Sequence, residues 1–99
     1  MHSKDTLGRE LKDLARTLAK IEDPREMHDF FDGIFTPRER ENIALRWQLV
    51  KLLHIGMKQR AISEELGVSL CKITRGSREL KKGRKGFRSV VSKATDSGT

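Results

Sequence analysis

Covalent and metal cross-links are scarce in this sequence. Its single cysteine, Cys71, excludes a disulfide within the chain. Its three histidines stand apart from one another, without a second ligand at helical spacing. We therefore expect neither a disulfide nor a metal site. A thiol without a partner suits a reducing compartment, so we expect a cytoplasmic protein.

Long apolar stretches are also missing. Hydrophobic residues make up 35% of the 99 residues, charges interrupt every apolar run, and the first residues lack the apolar segment of a signal peptide. We expect no membrane span and no secretory leader. A chain of this length buries only about 60–65% of its unfolded surface. Its own core is therefore thin, and we expect a second copy to complete it.

The residue patterns of an enzyme's active site are absent as well. The sequence has no glycine-rich phosphate loop, no Ser-His-Asp or Cys-His constellation and no carboxylate pair in apolar surroundings. Tyrosine is absent, and four of the five aromatic residues occur at helical spacing among leucines, which favours packing over ligand stacking. These aromatic residues are Phe30, Phe31, Phe35 and Trp47. We expect a protein without enzymatic activity.

Basic charge, in contrast, is abundant and unevenly distributed. The chain has 21 Lys and Arg against 14 Asp and Glu, a net charge of +7. Residues 1–55 contain ten basic and ten acidic residues, whereas residues 56–99 contain eleven and four. A localised excess of this kind favours a polyanionic partner such as nucleic acid. The alternative is a basic tail that only keeps the protein soluble.

Helical periodicity dominates the first half of the chain. Apolar residues recur at spacings of 4, 3, 4 and 3, which places them on one stripe of a helix that packs against another helix: Leu7, Leu11, Leu14, Leu18 and Ile21. Asp23-Pro24 with Glu26, and Thr36-Pro37 with Glu39, then predict two helix starts of the capping-box type. The helix after Thr36 ends near Gly56. No window alternates as a strand does, so we predict an all-α fold.

Residues 59–75 predict a helix-turn-helix. Ile62 and Leu66 form the apolar face of its first helix, and small Ser63 allows the second helix to approach. Gly67 supplies the positive φ of the turn. Val68 fills the corner, Ser69 caps the second helix and Ile73 anchors it. Four side chains are then left at the open N-terminal end, where a recognition helix meets base edges: Leu70, Cys71, Lys72 and Thr74.

Several strings resemble the tryptophan repressor family. They are Phe35-Thr36-Pro37-Arg38-Glu39-Arg40-Glu41, Arg46, Gln59-Arg60, and Ile73-Thr74-Arg75-Gly76-Ser77 followed by Leu80-Lys81. The resemblance extends from about Gly33 to Lys81 and is most specific in the Ile-Thr-Arg-Gly-Ser string. It implies an all-helical, intertwined homodimer that binds operator DNA in the presence of the corepressor L-tryptophan, without a metal.

The resemblance also implies a ligand site. Arg46 matches the arginine that binds the ligand carboxylate, and Arg75 matches the one whose guanidinium covers the indole, roles that suit a planar cation. The backbone carbonyls of Gly33 and Phe35, near Thr36, would receive the ligand's ammonium from the other subunit. From the residues alone, Arg46 and Arg75 would be surface charges on amphipathic helices.

For DNA, the resemblance assigns two groups of residues. Gln59, Arg60 and Ser63 match positions that face phosphates. The residues at and after the cap of the second motif helix match the end that contacts base edges, as in other helix-turn-helix proteins, the Trp repressor among them. These are Ser69, Leu70, Cys71, Lys72 and Thr74.

The sequence departs from the family in three places. Glu79 replaces a serine that contacts the ligand's amino group. This acid could hold the ammonium more firmly, or could pair with Arg75 one turn earlier and close the pocket. Gly33 and Phe35 stand where the family usually has leucines. Residues 81–88 are more basic and contain two glycines, so we expect a flexible connection and only a short helix around Phe87 before a polar tail.

Together these observations predict a single domain in three parts. They are a helical dimerisation scaffold (residues 1–56), a helix-turn-helix DNA-binding part (57–82) and a basic, partly flexible C-terminal segment (83–99). The favoured function is a cytoplasmic, homodimeric transcriptional repressor that binds double-stranded operator DNA and is activated by L-tryptophan or a related amino acid. A ligand-independent regulator on the same scaffold stays open, as does a non-specific nucleic-acid-binding or oligomerisation module.

Overall fold

The structure, a computed structural model, describes residues 3–96 and contains only helices in that range. The prediction of an all-α fold is confirmed. His2 and the last three residues of the polar tail lie outside the described residues. None of the described helices has the length and apolarity needed to cross a lipid bilayer. The helices are α1 (Lys4–Leu18), α2 (Pro24–Ile34), α3 (Pro37–His54), α4 (Gln59–Leu66), α5 (Leu70–Lys82) and α6 (Lys85–Asp96).

The chain divides into two compact units, and the boundary falls within α3, after Arg40. In the first unit, α1 begins at an N-cap, Ser3, whose hydroxyl accepts a hydrogen bond from the Thr6 amide at 3.2 Å. The helix ends at Leu18, one turn earlier than the apolar stripe predicts, so Ile21 lies beyond it. No residue of α1 or α2 is buried.

The two predicted helix starts, Asp23-Pro24 and Thr36-Pro37, have different capping hydrogen bonds. Before α2, the Asp23 carboxylate accepts a bond from the Arg25 amide at 2.9 Å, but within the described residues Glu26 returns none to Asp23. Before α3, the capping box is complete. The Glu39 amide donates to the Thr36 hydroxyl at 3.2 Å, and the Thr36 amide donates to Glu39 Oε1 at 2.9 Å.

The second unit contains the core. Five apolar side chains of the described residues, from four helices, are buried: Leu49, Val50, Ile62, Ile73 and Val91. Half-buried apolar side chains surround them, among them Leu53, Leu66 and Val68. α3, α4, α5 and α6 all contribute, so this unit fixes its own helix arrangement.

The prediction of only a short helix after Gly86 is wrong. α6 begins at Lys85, includes Gly86 and extends to Asp96. Val91 is fully buried and Phe87 packs against the core, so one apolar face holds the helix in place. The Thr95 hydroxyl donates to the Val91 carbonyl at 3.1 Å, within the last turns of the helix. Helix α5 ends at Lys82, so only two residues separate the helices.

Candidate DNA-binding motif and ligand pocket

α4 and α5 form the predicted helix-turn-helix. Gly67 has φ +65°, the left-handed conformation that the turn requires, and its amide donates to the Ser63 carbonyl at 2.9 Å. The Ser63 hydroxyl donates to the Val68 carbonyl at 2.8 Å. Ser63 therefore does more than leave space for α5: its proton stabilises the turn itself.

Two buried isoleucines join the motif helices to the core. Ile62 on α4 and Ile73 on α5 are both 0% exposed. Ser69 caps α5 as predicted, because its hydroxyl accepts a bond from the Lys72 amide at 3.4 Å. The first turn of α5 is thus held from below by Ile73 and at its start by Ser69.

The opposite side of the first turns of α5 faces solvent. We call this surface the reading end and define it by Leu70, Cys71, Lys72 and Thr74, all of which are exposed. Leu70 is 51% exposed although it is apolar, so the core does not use it. Gln59 and Arg60 are exposed in the first turn of α4. The motif therefore presents its predicted DNA-facing side chains to solvent, apart from half-buried Ser63.

A pocket lies between α3 and α5. It consists of two adjoining depressions, each of about 230 Å³. Both are lined by Arg46 and Leu49 from α3 and by Lys72 and Arg75 from α5. The second depression also reaches Glu79 and Phe87. The structure thus brings together Arg46, Arg75 and Glu79, three of the predicted ligand-binding residues.

The charges around this pocket are unpaired. Three cations (Arg46, Lys72 and Arg75) and one carboxylate (Glu79) line it, and no ion pair of the described residues involves any of them. The pairing of Glu79 with Arg75, which the sequence left open, is not formed. The Glu79 carboxylate lies over Gly83, where a β-carbon would come within 2.8 Å of Oε2. An apolar floor with separate cationic and anionic groups suits a small zwitterionic molecule with an apolar body.

Gly76 sets how closely α5 approaches α3, and sequence reasoning missed it. A β-carbon at this position would lie 2.6 Å from Leu49 Cδ2 and 3.3 Å from Leu53 Cδ1. Gly76 is itself buried. Glycine inside a helix costs about 1 kcal/mol relative to alanine, so a mid-helix glycine between Arg75 and Ser77 was a usable signal of close packing.

Comparison with known proteins gives the family. The family model described as "Trp repressor protein" matches residues 9–95, which include most of α1 and nearly all of α6. The chain belongs to the Trp repressor family. The match is wider than the sequence resemblance indicated, which covered only about Gly33 to Lys81.

Curated relatives agree with this family. A Trp operon repressor homolog of Chlamydia caviae is 43% identical over 70 residues, which are 70% of this chain and 69% of that protein. A homolog of the same name from Chlamydia trachomatis is 33% identical over 76 residues, 76% of this chain and 81% of the relative. An uncharacterized protein, YerC of Bacillus subtilis, is 27% identical over 92 residues, 93% and 88% of the two chains. No solved structure matches this chain with statistical significance.

The remaining ligand-binding residues expected from the Trp repressor resemblance lie in the first unit. Gly33 is exposed near the end of α2, and Thr36 is occupied by the capping box of α3. The Phe35 carbonyl accepts a hydrogen bond from the Arg40 guanidinium at 2.7 Å. Phe35 therefore has a cationic partner of its own, and its contact with a ligand ammonium stays a prediction.

One exposed group of side chains in the first unit has metal-ligand chemistry. His28, Asp29 and Asp32 bring potential ligand atoms within 4.8 Å of one another. The expectation that no histidine has a second ligand at helical spacing is therefore wrong for His28, because Asp32 lies four residues after it. Asp32 already pairs with His28 at 3.4 Å and with Arg40 Nε at 3.4 Å. These exposed pairs account for the cluster, and we assign no metal to it.

Proposed function

We propose that this chain is a sequence-specific, DNA-binding transcriptional repressor that acts in the cytoplasm as a homodimer, with L-tryptophan or a related amino acid as corepressor. One observation carries the proposal. Arg75 lines the pocket between α3 and α5 and also the open depression at the reading end, beside Leu70, Cys71 and Thr74. A ligand held by Arg75 therefore acts directly on the helix that contacts DNA.

The pocket chemistry favours an amino acid. Arg46 can bind a carboxylate through a charge-assisted pair of hydrogen bonds, and the Arg75 guanidinium can stack on an aromatic side chain. Glu79 is free to accept the ligand's ammonium because no described ion pair engages it. Filling the space between α3 and α5 would hold α5 at one angle and so orient the reading end. This is a population shift of α5 toward the DNA-binding orientation.

The first unit supports the homodimer. α1 and α2 contain no buried residue, and large apolar side chains lie exposed on both: Leu7 (52%), Leu11 (67%), Phe31 (37%) and Ile34 (49%). Amphipathic helices of this kind need another apolar surface. A second copy would supply one, and a two-fold axis would then place two reading ends about 34 Å apart, one turn of DNA.

Ligand titration of the unaltered protein and three variants tests the pocket. We expect calorimetry to detect L-tryptophan binding to the unaltered protein and to lose it in Arg46→Ala and in Arg75→Ala. A lost hydrogen bond to a charged group costs about 1.5–3 kcal/mol, or roughly 10- to 150-fold in affinity. Arg25→Ala, an exposed change in the first unit, is the matched control.

Operator binding then separates the proposal from its alternatives. A palindromic duplex selected from a random pool should bind more tightly than random duplex at the same salt, and L-tryptophan should strengthen that binding. Equal binding of both duplexes would indicate the non-specific module. A palindrome preference with the same affinity in the unaltered protein and both arginine variants, with or without L-tryptophan, would indicate the ligand-independent regulator. That second function is favoured by the burial of Ile73 and Gly76, which pack α5 on the core without a ligand.

A further inference from the structure

The pocket between α3 and α5 contains one side chain that the sequence assigns to DNA, Lys72. It lines both depressions of the pocket. The depression at the reading end is lined by other residues: Leu70, Cys71, Thr74, Arg75 and Arg78. All the residues that line the pocket belong to the second unit, so one compact unit fixes this arrangement. Lys72 therefore faces the space that a ligand would fill.

One face of α5 supplies the pocket. Positions 72, 75, 76 and 79 recur at intervals of 3, 1 and 3, so they lie on one side of the helix. Glu79 stands two turns after Lys72, about 10 Å along the helix axis at 1.5 Å per residue. Lys72 lines both depressions, whereas Glu79 lines the second. The pocket therefore has a cationic end near the start of α5 and an acidic group two turns further along.

Positive charge is in excess in this pocket. Arg46, Lys72 and Arg75 carry three positive charges, against the single carboxylate of Glu79. No ion pair of the described residues involves any of these four groups. An amino acid with an apolar side chain has one carboxylate and one ammonium, so it would leave the excess of positive charge unchanged. A second acidic group on the ligand would reduce that excess and would be attracted by it.

The first depression offers hydrogen-bond donors to such a group. Asn42 and Lys72 line it, but no carboxylate of the described residues does. A side-chain amide and an ammonium both donate hydrogen bonds. Three apolar side chains lie beside these donors: Leu45, Leu49 and Val68. A ligand with an apolar body and an acidic end fits this combination of contacts.

We propose that Lys72 determines the specificity of this pocket, and that the preferred ligand is an amino acid whose apolar side chain ends in an acidic group. The inference rests on the proposed function, because it takes the pocket to be an amino-acid site. Arg46 and Glu79 bind the α-carboxylate and the ammonium of the ligand. Its side chain extends toward the start of α5, where Lys72 donates a hydrogen bond to the terminal acid.

The exposure of Lys72 limits the size of the effect. A pair of charges in full contact with water changes affinity by up to about 5-fold, whereas a hydrogen bond to a charged group changes it by about 10-fold or more. Lys72 is exposed, but the depression that it lines also contains Leu49, which is only 3% exposed. We therefore expect an effect between these limits, about 5- to 10-fold.

Two ligands that differ only in the acidic group test the proposal. They are L-phenylalanine and 4-carboxy-L-phenylalanine, titrated by calorimetry into the full chain. The unaltered protein should bind 4-carboxy-L-phenylalanine about 5- to 10-fold more tightly. Lys72→Met should abolish this preference by weakening the binding of 4-carboxy-L-phenylalanine alone, because methionine keeps the helix propensity but has no charge. Higher salt should also reduce the preference in the unaltered protein, since exposed charges are screened.

Two further variants control the test. Lys81→Met removes the same charge from the same helix, but Lys81 is exposed and lines a depression on another side of α5. It should keep the full preference for 4-carboxy-L-phenylalanine. Glu79→Gln removes the partner of the ammonium, which both ligands have. It should therefore weaken the binding of both by the same factor and leave their ratio unchanged.

The outcomes separate this inference from the proposed function. Equal affinity of the unaltered protein for the two ligands, or a preference that persists in Lys72→Met, would overturn the role of Lys72. Equal weakening of both ligands in Lys72→Met would also overturn it, since Lys72 would then contact the shared part of the ligand. In each case, binding of L-tryptophan that strengthens operator binding would leave the proposed function intact. A Lys72-dependent preference without any effect of the ligand on DNA binding would support the inference and contradict the corepressor role.

Absence of binding by both phenylalanine ligands would overturn the inference. The titration of L-tryptophan would then decide the proposed function by itself.

Discussion

The two units of this chain reach stability by different routes. Residues up to Arg40 include eight basic and nine acidic residues, and neither α1 nor α2 buries a side chain. Residues from Glu41 onward include thirteen basic and five acidic residues and contain all five apolar side chains that are buried among the described residues. The nearly neutral unit leaves its apolar faces open, whereas the strongly basic unit closes its core around the helix-turn-helix.

This difference assigns different roles to the two units in folding and in association. Ile62 and Ile73 are fully buried within the second unit, so contacts within one chain join α4 and α5 to the core. The apolar face of α1, in contrast, gains stability only when something covers it, since exposed apolar surface contributes nothing until it leaves water. We therefore expect the motif to fold within one chain and association to depend on the first unit.

The sharpest test of this division compares Ile73→Ala with Leu11→Ala. Removing the fully buried Ile73 side chain should lower the free energy of unfolding by about 2–5 kcal/mol, because a cavity is left in the core. Leu11 is 67% exposed, so Leu11→Ala should lower the free energy of unfolding by less than about 0.5 kcal/mol in dilute protein. Urea unfolding followed by circular dichroism measures both values.

The same unfolding measurements should be repeated at several protein concentrations. If a second copy covers α1, the free energy of unfolding that Leu11→Ala loses should grow as the protein is concentrated. The reason is that a dimer stabilises the folded state by mass action. The loss in Ile73→Ala should stay large at every concentration. Equal, concentration-independent losses in the two variants would contradict the division between the units.

A pair of glycines tests the difference in packing. Gly76→Ala should lower the free energy of unfolding by about 1–2 kcal/mol, since overpacking costs about 1–3 kcal/mol and helix propensity returns at most about 1. Leu49, whose Cδ2 would lie 2.6 Å from the new β-carbon, is only 3% exposed and has little room to move. Gly8→Ala, the same change in α1, meets no atom within 4 Å and should raise stability by about 0.5–1 kcal/mol.

Thermal unfolding of the two glycine variants checks whether Gly76→Ala lowers stability while Gly8→Ala raises it. A stabilising Gly76→Ala would mean that α5 can move away from α3 without cost. A destabilising Gly8→Ala in concentrated protein, absent on dilution, would place Gly8 at the interface with a second copy and would sharpen the comparison further.

Much of this fold could be predicted because its signals are local. The Thr36 capping box, the φ of Gly67 and the Ser69 cap are decided within four residues of sequence, and all three were found correctly. The length of α6 was missed for the opposite reason. The polar tail from Ala94 to Thr99 predicted a short helix, but burial of Val91 on the core, a tertiary effect, stabilises a longer one.

The residues that line the pocket between α3 and α5 could be predicted only in part. Arg46, Arg75 and Glu79 were identified through the family resemblance, and the structure brings them to one pocket. That Lys72 and Phe87 also line it could not be predicted, because it depends on how α5 and α6 pack on the core. Periodicity assigns a residue to a face of its own helix but not to a space shared by three helices.

The smallest expected effect concerns the starts of two helices, one in each unit. Thr36→Ala removes the hydroxyl of a reciprocal box whose hydrogen bonds measure 2.9 and 3.2 Å. Ser69→Ala removes a single bond of 3.4 Å. Loss of a capping side chain costs about 0.5–2 kcal/mol, and a longer bond is weaker. We therefore expect about 1 kcal/mol for Thr36→Ala and about 0.5 for Ser69→Ala, measured by urea unfolding.

Conservative replacements make the comparison specific to the hydroxyl groups. Thr36→Ser and Ser69→Thr keep an acceptor for the capped amide, so each should recover most of the stability that its alanine variant loses. If Ser69→Ala cost more than Thr36→Ala, the cap of α5 would be stronger than its 3.4 Å bond indicates. The start of α5 would then be anchored more firmly than the start of α3. The second unit would in that case be stabilised by the Ser69 cap as well as by its core.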